Sequence, residues 1–196
     1  MLFSLLHTPA ASASRLNIDL ALVGSLPPKA VASAVDEIVS IWAPYGVDLH
    51  VVPENTPPDG GLRLAVIVTD RPDERLSADT LGSIRFRGGM PEPVILMYVG
   101  RIDMLVAHTP LGKGDSLPAM HHTFVGRVFG RALAHEIGHY LLRSRGHSAI
   151  GLMRATHRGY DLVAPERAAF DLSPDDASRV ADVAARTADV AAALHE

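Results

Sequence analysis

Residues 135–153 read HEIGHYLLRSRGHSAIGLM, three histidines, one glutamate and a closing methionine within nineteen positions. His135 and His139 are four residues apart, so on a helix they lie on one face, one turn above the other, and their ring nitrogens can converge on one ion. Glu136 stands beside the first of them. In the HExxH pattern this carboxylate is not a ligand; it lies next to a metal-bound water and serves as general base. An open zinc site takes three protein ligands and keeps a fourth position for water, so a third donor is required. His147, eight residues beyond His139, is the nearest. An extended chain covers about 3.3 Å per residue, ample for a reversal at the end of the helix. Gly146 is suited to the positive φ that such a reversal often demands. Glu166, Asp161 and His157 are the rival third donors, while His108, His121 and His122 read as surface or supporting residues.

Working backwards, Phe124, Val128, Phe129, Leu133 and Ile137 form an apolar stripe at helical spacing. A helix from near Met120 through His139 is therefore expected, buried against a sheet. Its glycines, Gly126, Gly130 and Gly138, each cost about 1 kcal/mol against Ala, which points to close packing. Earlier still, LNIDLALV at Leu16–Val23 and VDLHVV at Val47–Val52 alternate like strands. Between them Lys29–Trp42 carries Val31, Val35, Ile38, Val39 and Trp42, an amphipathic helix. Leu62–Val68, Leu81–Arg87 and Pro93–Val99 read as further strands, the last two joined by a short Gly-rich connection suited to antiparallel pairing. A strand-helix-strand opening implies a crossover unit, so the sheet is expected to be mixed. Residues 100–120 read as irregular. At the C-terminal end Ser173 is an N-cap with Pro174 at the first helical position and acidic residues in the first turn, marking a last helix.

Composition narrows the function classes. The 196 residues suit one domain, and 47% apolar with 20% charged residues fits an ordinary soluble globular protein. A formal net charge of -4 supplies no basic field for nucleic acid, so no nucleic-acid partner is expected. Cys is absent, which excludes disulfides, thiolate metal sites and a cysteine nucleophile and leaves His, Asp, Glu or water as ligands. No apolar run approaches the roughly 18–20 residues of a membrane span. MLFSLLHTPAASASR loosely resembles the end of a secretory signal but has no basic n-region and too short an apolar run, so it reads as a flexible N-terminus, with a truncated or mis-started export signal as the alternative and the compartment left open.

The combination of HEIGH, a nearby third histidine followed by Ser, and GLM resembles the metzincin zinc peptidases, whose pattern is HExxHxxGxxH followed by a methionine turn. The resemblance implies a zincin-like α+β fold: a mixed twisted sheet, an amphipathic helix, an active-site helix and a small C-terminal lobe ending in a helix. Beyond the flexible stretch at 1–15 it implies a single domain at 16–196, with an N-terminal lobe over 16–140 and a C-terminal lobe over 141–196. Carried over by position, it implies Zn2+ as cofactor, His135, His139 and His147 as ligands, Glu136 as base and Met153 as turn methionine. FDLSPDD at Phe170–Asp176 resembles the start of the family's last helix, and LGSIRF at Leu81–Phe86 its edge strand, against which a peptide substrate lies extended. Two departures stand out. Six residues after His139 the chain has Arg145, which cannot be a ligand, and three residues after it Leu142 replaces glycine. Of the rivals, Glu166 lies where thermolysin-type peptidases place a glutamate and Asp161 where an aspartate-liganded group would, neither within the surrounding pattern.

The expected activity is zinc-dependent hydrolysis of peptide bonds. Two other classes are compatible with the same residues: a catalytically inactive zinc-binding or peptide-binding protein, and a metal-dependent amidase acting on a non-protein substrate. Arg143, Arg145, Arg154 and Arg158 cluster around the candidate ligands, a pattern that suits acidic side chains or a substrate carboxylate, but such arginines are more often solvated or paired with local acids, so no specificity is read from them.

Overall fold

The alternation in LNIDLALV forms β1 (Leu16–Val23), which buries Leu16, Ile18 and Leu20. The structure, a computed structural model, describes residues 15–57, 61–110 and 118–193; most of the N-terminal stretch expected to be flexible lies outside them. After β1 come α1 (Pro28–Trp42), β2 (Val47–Val52), β3 (Leu62–Thr69), β4 (Gly82–Arg87) and β5 (Met90–Tyr98). The sheet order is β2-β1-β3-β5-β4. Every pairing is parallel except β4 with β5, so the sheet is mixed as expected. β4 forms one edge. Its hairpin to β5 turns through Gly88 and Gly89, both at positive φ, the backbone that a two-residue turn between twisted strands requires.

Residues 99–108 correct the sequence reading. The strand ends at Tyr98, and Val99–His108 is a helix, α2, where an irregular segment was expected. Ile102 and Val106 are fully buried, and a spacing of four puts both on its inner face. The glycines and prolines of TPLGKGDSLP mark only the segment beyond it, much of which lies outside the described residues.

The long helix α3 runs from Pro118 to Leu142, three residues past His139. Its stripe of Phe124, Val128, Phe129, Leu133 and Ile137 is buried, and it lies against α1 on one side and β4 and β5 on the other. Gly126 and Gly130 set its approach to α1: a Cβ at Gly126 would lie 2.2 Å from the Ala30 carbonyl oxygen, and one at Gly130 2.7 Å from that of Ala34. The helix propensity lost at these positions is thus exchanged for backbone contact that no larger residue permits. Beyond α3 the chain forms a short α4 (Gly159–Val163) and α5 (Pro174–Ala193). Ser173 caps α5 as expected, its Oγ accepting the Asp176 N–H at 3.2 Å. No helix among the described residues is long and apolar enough to cross a membrane.

Gly126→Ala is expected to destabilise the fold by about 2 kcal/mol despite the helix propensity gained, because forcing α1 and α3 apart outweighs it. Denaturant titration checks this; a stability equal to or above that of the wild type would mean the two helices separate at no cost.

Candidate metal centre

His135 and His139 project from the same face of α3, with ring centroids 4.7 Å apart. Past them the helix ends at Leu142 because Arg143 takes a left-handed conformation, φ 48°, the one non-glycine residue among those described with positive φ. The Ser144 N–H returns to the His139 carbonyl at 3.3 Å and the Arg143 N–H to that of Tyr140 at 3.3 Å, the two bonds of a Schellman cap. This corrects the expectation for Gly146. The positive φ falls on Arg143, and Gly146 instead donates its N–H to Ser144 Oγ at 3.0 Å.

The reversal brings His147 over the helix. Its ring stacks on His135 with centroids 5.3 Å apart and meets His139 edge-on at 4.9 Å. One ligand-capable atom from each of the three lies within 4.8 Å of the other two, and among the described residues these alone form such a group of His, Asp or Glu. The backbone orients the first two rings. His135 Nδ1–H donates to the Leu152 carbonyl at 2.8 Å and His139 Nδ1–H to that of Ser144 at 2.6 Å, so each presents an unprotonated Nε2 to the shared space. Burial, reinforced by the neighbouring histidines, lowers the His135 pKa to about 3; burial likewise lowers that of His139. Both rings are therefore held in the neutral form that binds a metal.

Glu136 is buried on the same helix. Burial raises its pKa to about 8, against a hydrogen bond from the Ile84 backbone N–H of edge strand β4. Met153 packs beneath the helix, 1% exposed, with its sulfur 2.2 Å from where a Cβ on Gly138 would be. The segment carrying His147 is tied down twice: the Ser148 N–H donates to the Met153 carbonyl at 2.8 Å, and Ser148 Oγ donates to the buried Asp176 of α5.

The rival donors have other surroundings. Glu166 is exposed and Asp161 half-buried, and both give their backbone carbonyls to Arg131. His157 borders the cleft, stacked on Phe170 at 4.8 Å, with Nε2–H directed at the same Leu152 carbonyl that His135 uses. His108 donates to the Met104 carbonyl, His121 pairs with Asp103, and neither these nor His122 lines the cleft.

Arg131, one turn before His135, has no place in the sequence reading. It is 1% exposed and binds Glu37 of α1 at 3.1 Å together with the carbonyls of Asp161, Ala164 and Glu166. The available signal was a charge on a helix otherwise apolar at that height, matched by Glu37 within the apolar stripe of α1. The Ser148–Asp176 tie joins residues 28 positions apart and left no local pattern.

A sheet with a parallel core and one antiparallel edge strand, below a helix whose histidines meet a third from the following loop, has a solved counterpart. The fold is that of an archaemetzincin-like zincin. The crystal structure of archaemetzincin from Methanopyrus kandleri superposes with a TM-score of 0.54, covering 88% of this chain and 97% of that one at 14% identity. No family model and no curated protein sequence matches the chain. At that identity the likeness to archaemetzincin is one of fold.

Two outcomes test this geometry. In metal-free protein His135 is expected to stay neutral at about pH 5.5, where a solvated imidazole is largely charged, as a neutral Nδ1–H tautomer in long-range 1H–15N spectra. Because its folded pKa is depressed, its contribution to folding stability is present above about pH 6.5 and is lost as the pH falls toward 3. Ser148→Ala is expected to weaken zinc binding about tenfold in chelator competition, since it frees the loop without touching a donor; unchanged affinity would show that the tie to Asp176 is dispensable.

Proposed function

We propose that this chain is a zinc-dependent metallopeptidase, with His135, His139 and His147 as ligands, Glu136 as general base and Met153 as the methionine beneath the site. The observation that carries the reading is the convergence of three imidazoles beside a buried carboxyl, on a fold shared with archaemetzincin. The donor set fits the ion: three neutral nitrogens and no thiolate suit zinc and leave a position open. When bound, zinc supplies a Lewis acid that polarises a carbonyl and lowers the pKa of water toward 7.

The protein's own residues supply the rest. Glu136 has a carboxyl whose burial favours holding a proton, while an adjacent cation favours its ionised form. A group poised between these states can accept a proton from water and return it to a leaving amine. The Ile84 N–H fixes the orientation of that carboxyl. β4 is the exposed edge of the sheet and lines the cleft through Gly82, Ser83 and Ile84, so an extended peptide can add to it by main-chain pairing. Hydrolysis of peptide bonds is the activity these features support best. A structural zinc site would be closed by a fourth protein donor, and the group here contains three.

Glu136→Gln is expected to lower kcat/KM on a peptide library by about 10²–10⁴-fold while keeping near one equivalent of zinc by metal analysis. His147→Ala is expected to lose zinc. Zinc retained without cleavage in the wild type would refute the peptidase reading, and zinc lost only in Glu166→Ala would refute the ligand set.

A further inference from the structure

The cleft beside the three histidines, about 650 Å³, contains cationic groups to which no described residue supplies a counterion. Of the four arginines clustered around the histidines in sequence, Arg145 and Arg154 line the cleft and Arg143 and Arg158 do not. Arg154 is half-buried, and its guanidinium has no hydrogen bond or ion pair with any described residue. Arg145 lies over the Phe86 ring, 4.9 Å from its centroid, and donates once to the Phe86 carbonyl at 3.2 Å, with no carboxylate partner among the described residues. Of the other ionisable side chains of the lining, Glu136 has the Ile84 N–H, and Arg131 and Asp79 are satisfied locally. Arg131 is matched by Glu37, and Asp79 accepts the Ser77 hydroxyl and feels the charge of Arg101.

A guanidinium partly withdrawn from water without a partner is unfavourable, and its planar fork of donors matches a carboxylate edge to edge. Arg154 also follows Met153 directly, and its backbone is bridged to Ser148, next to His147. An anion held there would lie along the same wall as the proposed metal ligands. From these observations we infer that Arg154, assisted by Arg145, forms a carboxylate-reading subsite, so that the substrate carries a carboxylate close to the scissile bond. The inference rests on the peptidase reading and names its substrate class: peptides with an acidic side chain or a free C-terminus near the point of cleavage.

The test compares matched peptides that differ only as Glu or Gln beside the scissile bond, or only as free acid or amide at the C-terminus. The enzymes are zinc-loaded wild type, Arg154→Gln, Arg154→Lys, Arg145→Gln and, as a control outside the cleft, Arg158→Gln. In the wild type one of the two pairs is expected to show about a tenfold preference in kcat/KM for the carboxylate at low ionic strength, reduced by added salt. Which pair responds identifies the source of the carboxylate. The ratio falls to near one in Arg154→Gln, is intermediate in Arg154→Lys, which keeps the charge without the fork, and in Arg145→Gln, and is retained in Arg158→Gln. Ratios near one for both pairs in the wild type, or a preference that survives Arg154→Gln, overturn the subsite while leaving the peptidase reading intact. If no peptide is cut, that reading fails and fluorescence anisotropy of the same labelled peptides decides the subsite separately. Tighter binding of the carboxylate form that depends on Arg154 supports it, and equal binding of both forms overturns it.

Discussion

The buried ion pair between Arg131 and Glu37 is the constraint on which the arrangement of the cleft depends. Both side chains are almost wholly withdrawn from water, at 1% and 2% exposure. A lone pair of buried charges is rarely worth its desolvation, and the balance turns favourable only when every remaining donor and acceptor is satisfied. Here each nitrogen of Arg131 and each carboxylate oxygen of Glu37 has a partner. Glu37 also receives Arg127 and Arg167, while Arg131 gives three further N–H groups to carbonyls of the segment 161–166 and lays its plane over Phe170 at 4.5 Å. One guanidinium thus fastens α3 to α1 and to the chain that crosses below the cleft. It does so one turn before His135.

With α3 fixed, the site is completed by backbone rather than by further side chains. Carbonyls of Leu152 and Ser144 hold the tautomers of His135 and His139, and an N–H of β4 holds Glu136. Side-chain partners would each add rotatable bonds between donor and fold. Carbonyls belong to the folded chain itself, so the orientation of these two rings is as rigid as the loop 144–152. That loop is closed by the Ser148–Met153 bond and held to α5 through Asp176. The buried Asp176 thereby couples the last helix to the orientation of the third histidine.

The legibility of this arrangement in the sequence followed the range of the interactions. Strands β1–β5, α1, α3 and the capped α5 announce themselves by periodicity, because each buries one face and the pattern repeats within a few residues. HEIGH was readable for the same reason, since helix geometry alone brings His135 and His139 together. Helix α2 was missed because only Ile102 and Val106 are buried in it, too few to outweigh the neighbouring glycines and prolines. Arg131 and Glu37 were missed because a charge in an amphipathic helix reads as solvated unless its partner, 94 positions away, is known. Gly146 was chosen for the reversal on propensity, whereas the helix end is decided by tertiary context that holds Arg143 in a left-handed conformation costing about 1–2 kcal/mol.

That strained residue also accounts for the spacing that departs from the metzincin pattern. With the third histidine six positions after the second, a glycine three positions after the second would end the helix at once. Here Leu142 occupies that position and is buried, so the helix continues one residue further and reverses at Arg143. Reversal at Arg143 leaves Ser144 to Gly146 to cross back over the helix end, and the hydroxyl of Ser144 closes a small turn with the Gly146 N–H while its carbonyl orients His139. The two additional residues are thus absorbed by a longer helix and an internally bonded turn, and His147 reaches the space that a shorter loop would give to an earlier histidine. The same path carries Arg145 outward onto Phe86 at the end of the edge strand. The altered spacing therefore changes the rim of the cleft more than the grouping of the three histidines.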